Sequence, residues 1–128
     1  MNKQQFFACL LAGFIFFSCA GQSTDVLTPK DFKAKMSQPS VTLLDVRTPG
    51  EFNSGHLEKS ANLNVNNSQF EAQCSKLDKT KTVLVYCYSG ARSNRAAKML
   101  RQKGFKVYEL KGGMEAWQEE GLAVVGKR

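Results

Sequence analysis

A chain of 128 residues has room for one domain around one core, and its 42% hydrophobic and 23% charged residues exclude an intrinsically disordered polymer. The formal charge of +7 favours anionic partners, but the basic residues are scattered and lack the interleaved aromatics of a nucleic-acid surface, so no nucleic-acid partner is expected. One histidine, no Cys-x-x-Cys and no acidic cluster leave no donor set for a metal, and nothing in the pattern calls for a cofactor.

In chain order, Lys3 precedes twelve uncharged residues, Phe6 to Phe17, and then the small residues Ser18-Cys19-Ala20-Gly21. A membrane-spanning helix needs about 20 apolar residues, so residues 1–18 are expected to be a secretory signal peptide. Phe16-Phe17-Ser18-Cys19 is similar to the lipobox of bacterial lipoproteins, with Phe16 where an aliphatic residue is usual, and this implies lipidation at Cys19. Ordinary cleavage after Ala20 is the alternative. Residues 19–25 then form a polar tether and 26–128 the folded domain. The expected compartment is the periplasm or another extracytoplasmic space, with the membrane touched only through the signal or lipid.

Thr28-Pro29-Lys30-Asp31 combines an N-cap, a first-turn proline and an acid, so a helix starts at Pro29. Val41 to Val46 is a nearly continuous apolar run, as in a strand buried on both faces of a parallel sheet. Thr48-Pro49-Gly50-Glu51 repeats the capping pattern for a short helix closed by Gly55. A short strand follows over Ala61–Val65, a helix over Phe70–Leu77 and the central strand over Val83–Tyr86. The spacing then predicts a helix over Asn94–Lys103, a strand over Val107–Leu110 and a helix over Met114–Glu120. Alternation at this spacing gives a right-handed α/β layer, a mostly parallel sheet with helices on both faces, whose ligand sites lie beyond the carboxyl ends of the strands.

Cys87 stands at such an end, followed by Tyr88-Ser89-Gly90-Ala91-Arg92-Ser93 and a helix. A strand running into a tight turn aims backbone N–H groups and the positive end of the helix dipole at the sulfur, which stabilises a thiolate. Arg92 and Arg95 reinforce that effect and attract a small anion. Asp45-Val46-Arg47 ends another strand, so the two segments are expected to meet. Arg47 and Glu51 are expected to form a loop-fixing ion pair, His56 to be a hydrogen-bonded turn residue, and Trp117 to be core. Asp45, Arg47, Glu51 and His56 are thus read as structural support. Cys74 is expected to be a free thiol on a separate helix.

These segments in order resemble a single-domain rhodanese, of the thiosulfate sulfurtransferase family, over Val26 to Leu122. Asp45-Val46-Arg47 with Glu51-Phe52 and Gly55-His56-Leu57 is similar to the family's first signature, and Ala61-Asn62-Leu63 to its second strand entry. Cys87 to Ser93 is similar to its active-site loop, and Leu110-Lys111-Gly112-Gly113-Met114-Glu115-Ala116-Trp117 to its closing motif. Glu58-Lys59-Ser60 departs from the family, which often has a Pro-Gly pair there. The resemblance implies covalent sulfur transfer: the Cys87 thiolate takes the outer sulfur of a small anionic donor such as thiosulfate and passes it to a thiol or cyanide, in a monomer. The loop residues Tyr88, Ser89, Gly90, Ala91, Arg92 and Ser93 would hold the persulfide.

Two other classes compete. One is a non-catalytic sulfur carrier or docking module, the other a redox protein with Cys74 resolving Cys87. A phosphatase is disfavoured because Cys87 and Arg92 enclose four residues, where related phosphatases place five around a tetrahedral phosphate.

Overall fold

The computed structural model describes residues 25–126; the expected signal peptide, Cys19 and all of the tether but Asp25 lie outside the described residues. Within them, β1 (Val26–Leu27), β2 (Val41–Asp45), β3 (Ala61–Asn62), β4 (Thr82–Tyr86) and β5 (Val107–Leu110) alternate with helices. These are α1 (Pro29–Met36), α2 (Pro49–Asn53), α3 (Phe70–Cys74), α4 (Ala91–Gln102) and α5 (Gly113–Glu119). Every strand pairing is parallel, in the order β1-β5-β4-β2-β3, which the intervening helices make possible by carrying the chain back across the sheet.

Side chains alternate across a strand, and β4 uses both faces. Val83, Val85 and Cys87 enter one core cluster with Phe70 and Cys74 of α3 and Ala96, Ala97 and Leu100 of α4. Leu84 and Tyr86 enter the other, with Phe32 of α1 and Met114 and Trp117 of α5. Truncating a fully buried side chain such as Leu84 to alanine costs about 2–5 kcal/mol in such a setting. The Trp117 indole N–H donates to the Ala123 carbonyl at 3.0 Å, so its polar tip is satisfied within the core.

The boundaries differ from those the sequence suggests, for local reasons. β3 stops at Asn62, whose side-chain amide donates to the Asp45 and Arg47 carbonyls at 3.0 and 2.9 Å, while beyond it the Leu63 and Val65 N–H groups still donate to the Asp45 and Val46 carbonyls at 2.9 and 3.1 Å. α3 ends at Cys74, after which Lys76 and Leu77 donate three residues back, a tightening typical of helix ends. β1 was too short to leave a periodic signal, yet it pairs with β5 at the sheet edge.

Two devices prepare the far side of the site. Thr48 and Glu51 form a reciprocal capping box on α2, an arrangement of the kind that contributes about 1 kcal/mol. Lys59 stands at φ 66 in the turn after α2, holding with a branched-free but Cβ-bearing residue a left-handed conformation that glycine adopts more easily.

Candidate active site

β2 and β4 are neighbours, with Asp45 paired to Tyr86 and the Val46 N–H bonded to the Tyr86 carbonyl at 3.0 Å. The two expected segments therefore meet at the carboxyl edge of the sheet. Cys87 follows β4 directly and is 1% exposed. The chain then turns through Tyr88 and Ser89 to Gly90, the N-cap of α4, whose φ of 113 is open to glycine and strained for other residues. Ala91, Arg92 and Ser93 are thus the first turn of α4, three residues earlier than the sequence pattern starts the helix.

That early start brings donors to the sulfur. The Gly90 N–H donates to Cys87 Sγ at 3.1 Å, and Sγ lies 3.4 Å from Ser93 Oγ, which itself donates to the Gly90 carbonyl at 3.1 Å. Burial pushes the thiol up, but hydrogen bonds from the Ser93 hydroxyl and from the N–H groups of Ser93, Gly90 and Ser89 outweigh it. The net result lies below the ordinary value of 9.0. On ionisation the Ser93 hydroxyl can rotate from the Gly90 carbonyl to the sulfur, adding a donor when the charge appears.

The loop is braced from behind by α5. The Met114 and Glu115 N–H groups donate to the Cys87 and Tyr88 carbonyls at 2.9 and 3.0 Å, so the free amides at the start of α5 fix the loop backbone. Gly113 makes that approach possible. A Cβ there would lie 2.4 Å from the Tyr88 carbonyl oxygen and 2.5 Å from that of Cys87.

The charged residues pair differently from the expected Arg47–Glu51 contact. Arg47, 5% exposed, grips Asp45 through Nε and Nη2, with Nη2 at 2.6 Å, and donates from Nη2 to the Gly55 carbonyl at 2.7 Å. Glu51 instead takes Arg92 bidentately, at 2.7 and 2.9 Å. The reason is reach: Asp45 is two residues before Arg47 and buried with it, whereas the α2 capping box turns Glu51 toward the first turn of α4. The Arg92 hydrogen bonds, opposed by burial, bring the Glu51 carboxyl down to about 2. Stability from this pair is therefore present above the ordinary value of 4.5 and lost as pH falls toward 2, modestly because both partners are partly exposed.

Arg95 also departs from the expected role beside the sulfur, since its guanidinium bonds the Asn66 side chain at the surface. The Cys87 thiol is therefore lowered chiefly by hydrogen bonds within the loop, with attraction between its thiolate and the Arg92 guanidinium as a smaller contribution. His56 stacks on Phe52 and its Nδ1 lies 2.8 Å from the Phe52 carbonyl, while its backbone bridges to Val125. Tyr88, 47% exposed, stands at the mouth of a cavity of about 300 Å³ shared with Arg47, Glu51, Met114 and Gln118. Met114 and Gln118 carried no sequence signal for the site, because only the packing of α5 against the loop brings them there. Cys74 and Cys87 are both free thiols.

Residues 28–120 match the family described as rhodanese-like domain. A thiosulfate sulfurtransferase from Shewanella oneidensis is 40% identical over 81 residues, covering 62% of this chain and 78% of that one. A tRNA uridine(34) hydroxylase from Pelagibacter ubique is 35% identical over 99 residues, covering 76% of this chain; the chain spans 33% of that longer protein. Among solved structures, a rhodanese-related protein from Thermoplasma volcanium superposes with a TM-score of 0.72 at 31% identity, covering 79% of this chain and 97% of that one.

Proposed function

Because the chain belongs to the rhodanese-like domain family, we propose that it is a sulfurtransferase in which Cys87 carries sulfane sulfur as a persulfide. The Cys87 thiolate attacks the outer sulfur of a donor, of which thiosulfate is the simplest. The donor S–S bond breaks, sulfite leaves with its electron pair, and the transferred sulfur stays on Sγ. A thiol or cyanide then attacks that outer sulfur and releases the Cys87 thiolate, so the cycle needs no external oxidant or reductant. The amides of the loop and the Ser93 hydroxyl face the anion in both states.

The observation that carries this reading is the pair of polar contacts on one enclosed sulfur: the Gly90 N–H donating to it at 3.1 Å and the Ser93 hydroxyl oxygen 3.4 Å from it. A structural core cysteine has no use for them. The reading extends to place and assembly. The domain works as a monomer outside the cytoplasm, carried by a lipidated Cys19, on the support of the residue pattern from Lys3 to Gly21. No helix among the described residues is long and apolar enough to cross a membrane.

The test is intact-protein mass after thiosulfate and again after cyanide. A gain of one sulfur atom mapped to Cys87, then removed by cyanide with thiocyanate released, is the expected result. A loss of two hydrogens joining Cys74 to Cys87 would overturn it in favour of a redox protein, and no change at all in favour of a docking module.

A further inference from the structure

The fold gathers lysines that are scattered along the chain. In a parallel sheet every strand begins at one edge, so the turns entering β4 and β5 and the ends of α1, α3 and α4 share the side opposite Cys87. Lys35, Lys76, Lys79, Lys81, Lys103 and Lys106 stand on these segments, the first and fifth half-buried and the others exposed. The Lys35 and Lys106 ammonium groups lie 4.5 and 5.6 Å from the centre of the Tyr108 ring, and that of Lys79 lies 5.9 Å from the centre of Phe105. Among the described residues none of the six is ion-paired, because arginines hold the paired carboxylates. The acid of these turns is Asp78. At the opposite edge Arg47 cancels Asp45 and Arg92 cancels Glu51. The chain enters the domain on the lysine side: Asp25 opens β1, its carbonyl accepts from the Glu109 N–H at 2.7 Å, and its carboxylate lies 3.8 Å from Arg101 in the last turn of α4.

We propose that this lysine edge is a docking face for an anionic phospholipid surface, which turns Cys87 away from the membrane. The inference rests on the membrane-anchored part of the reading above for the nearness of a lipid surface, and on sulfur transfer not at all. Cys19 is six positions before Asp25, a reach of about 20 Å at most, so a lipid there brings the edge to the headgroups. Unpaired ammonium groups on flexible stems suit a fluid array of phosphates, which asks for charge and no fixed geometry. Phe105 is buried and Tyr108 half-buried beneath the lysines, so neither ring offers a face for stacking a base. Cys87 lies six positions beyond Lys81 along β4, so with the edge on lipid the sulfur stands about 20 Å from the headgroups, toward solution.

The experiment measures partition of the full chain, with Cys19 unmodified, into phosphatidylcholine vesicles with and without an equal part of phosphatidylglycerol. Any attraction through the apolar run Phe6 to Phe17 is common to both, so the ratio of the two partition coefficients reads charge. Lys81→Gln with Lys106→Gln is set against Lys30→Gln with Lys111→Gln, which removes the same charge from the start of α1 and the end of β5, at the other edge. The wild-type protein is expected to favour the anionic vesicles about a hundredfold at low salt and to lose most of that preference in concentrated salt. The edge pair should lower the ratio about twentyfold and the control pair less than about twofold, with wild-type thermal midpoints showing that both fold. No anionic preference, or equal losses in the two pairs, overturns the docking face. Edge-dependent binding to duplex DNA with none to the vesicles overturns it in favour of nucleic acid. Edge-dependent vesicle binding beside an unlipidated Cys19 in protein recovered from cells supports the face and overturns the anchor alone.

Discussion

Cys74 and Cys87 are each 1% exposed and belong to the same core cluster, yet their thiols are displaced in opposite directions. At the end of α3, burial alone dominates and pushes Cys74 up to about 11. Beyond β4 the same burial acts on Cys87, but the amides and hydroxyl of a glycine-capped turn reverse it. Desolvation therefore makes a cysteine inert or reactive according to what replaces the lost water. An apolar helix end supplies nothing; the first turn of α4 supplies oriented donors.

The largest effect comes from removing the contrast outright. Cys87→Ser should reduce sulfur transfer to background while leaving the unfolding midpoint close to wild type, because serine is nearly isosteric and cannot form a persulfide; activity with thiosulfate and a urea melt check both halves. Next is the brace behind the loop. In Gly113→Ala the new Cβ meets the Cys87 and Tyr88 carbonyls at a φ of 59, and we expect a loss of about 3 kcal/mol with transfer falling in parallel, read from denaturation curves and activity of the same samples.

Ser93→Ala removes one donor without touching the backbone amides, so it moves Cys87 part of the way toward the state of Cys74. Its thiol should titrate higher, and the rate at neutral pH should fall about tenfold and recover as pH rises. A rate lost equally at every pH would show that Ser93 acts only on the fold. Cys74→Ala sharpens the comparison from the other side: about 1 kcal/mol of stability at most and unaltered sulfur transfer are expected, whereas lost transfer would give Cys74 a chemical role. The smallest effect is remote from both cysteines. Lys59→Gly relieves the φ of 66 at some cost in unfolded-state entropy, for a net gain of about 0.5 kcal/mol in a thermal melt.

The parts of this molecule legible in the sequence are those encoded by contiguous residues. The β4 run, the Cys87 turn and the Thr48 capping pattern each announce themselves within a few positions, and the parallel α/β layer follows from their alternation. The exchange of ion-pair partners was not legible. Arg47 and Glu51 are four apart and plausible partners by spacing, but the choice of Asp45 for one and Arg92 for the other depends on how deeply β2 ends and where α2 points. The start of α4 at Ala91 was hidden for a related reason. Polar Arg92 and Ser93 give no apolar periodicity, and only the left-handed Gly90 marks the helix boundary. Met114 and Gln118 reach the site solely through the docking of α5.

The account turns on hydrogen bonds overriding burial at one sulfur. Its most direct test is the ultraviolet thiolate titration of two folded variants, one retaining Cys87 as the single cysteine and the other retaining Cys74. The account predicts that the Cys87 protein titrates below 9.0 and the Cys74 protein near 11. Coincident curves, or a Cys87 curve lying above 9.0, would contradict it.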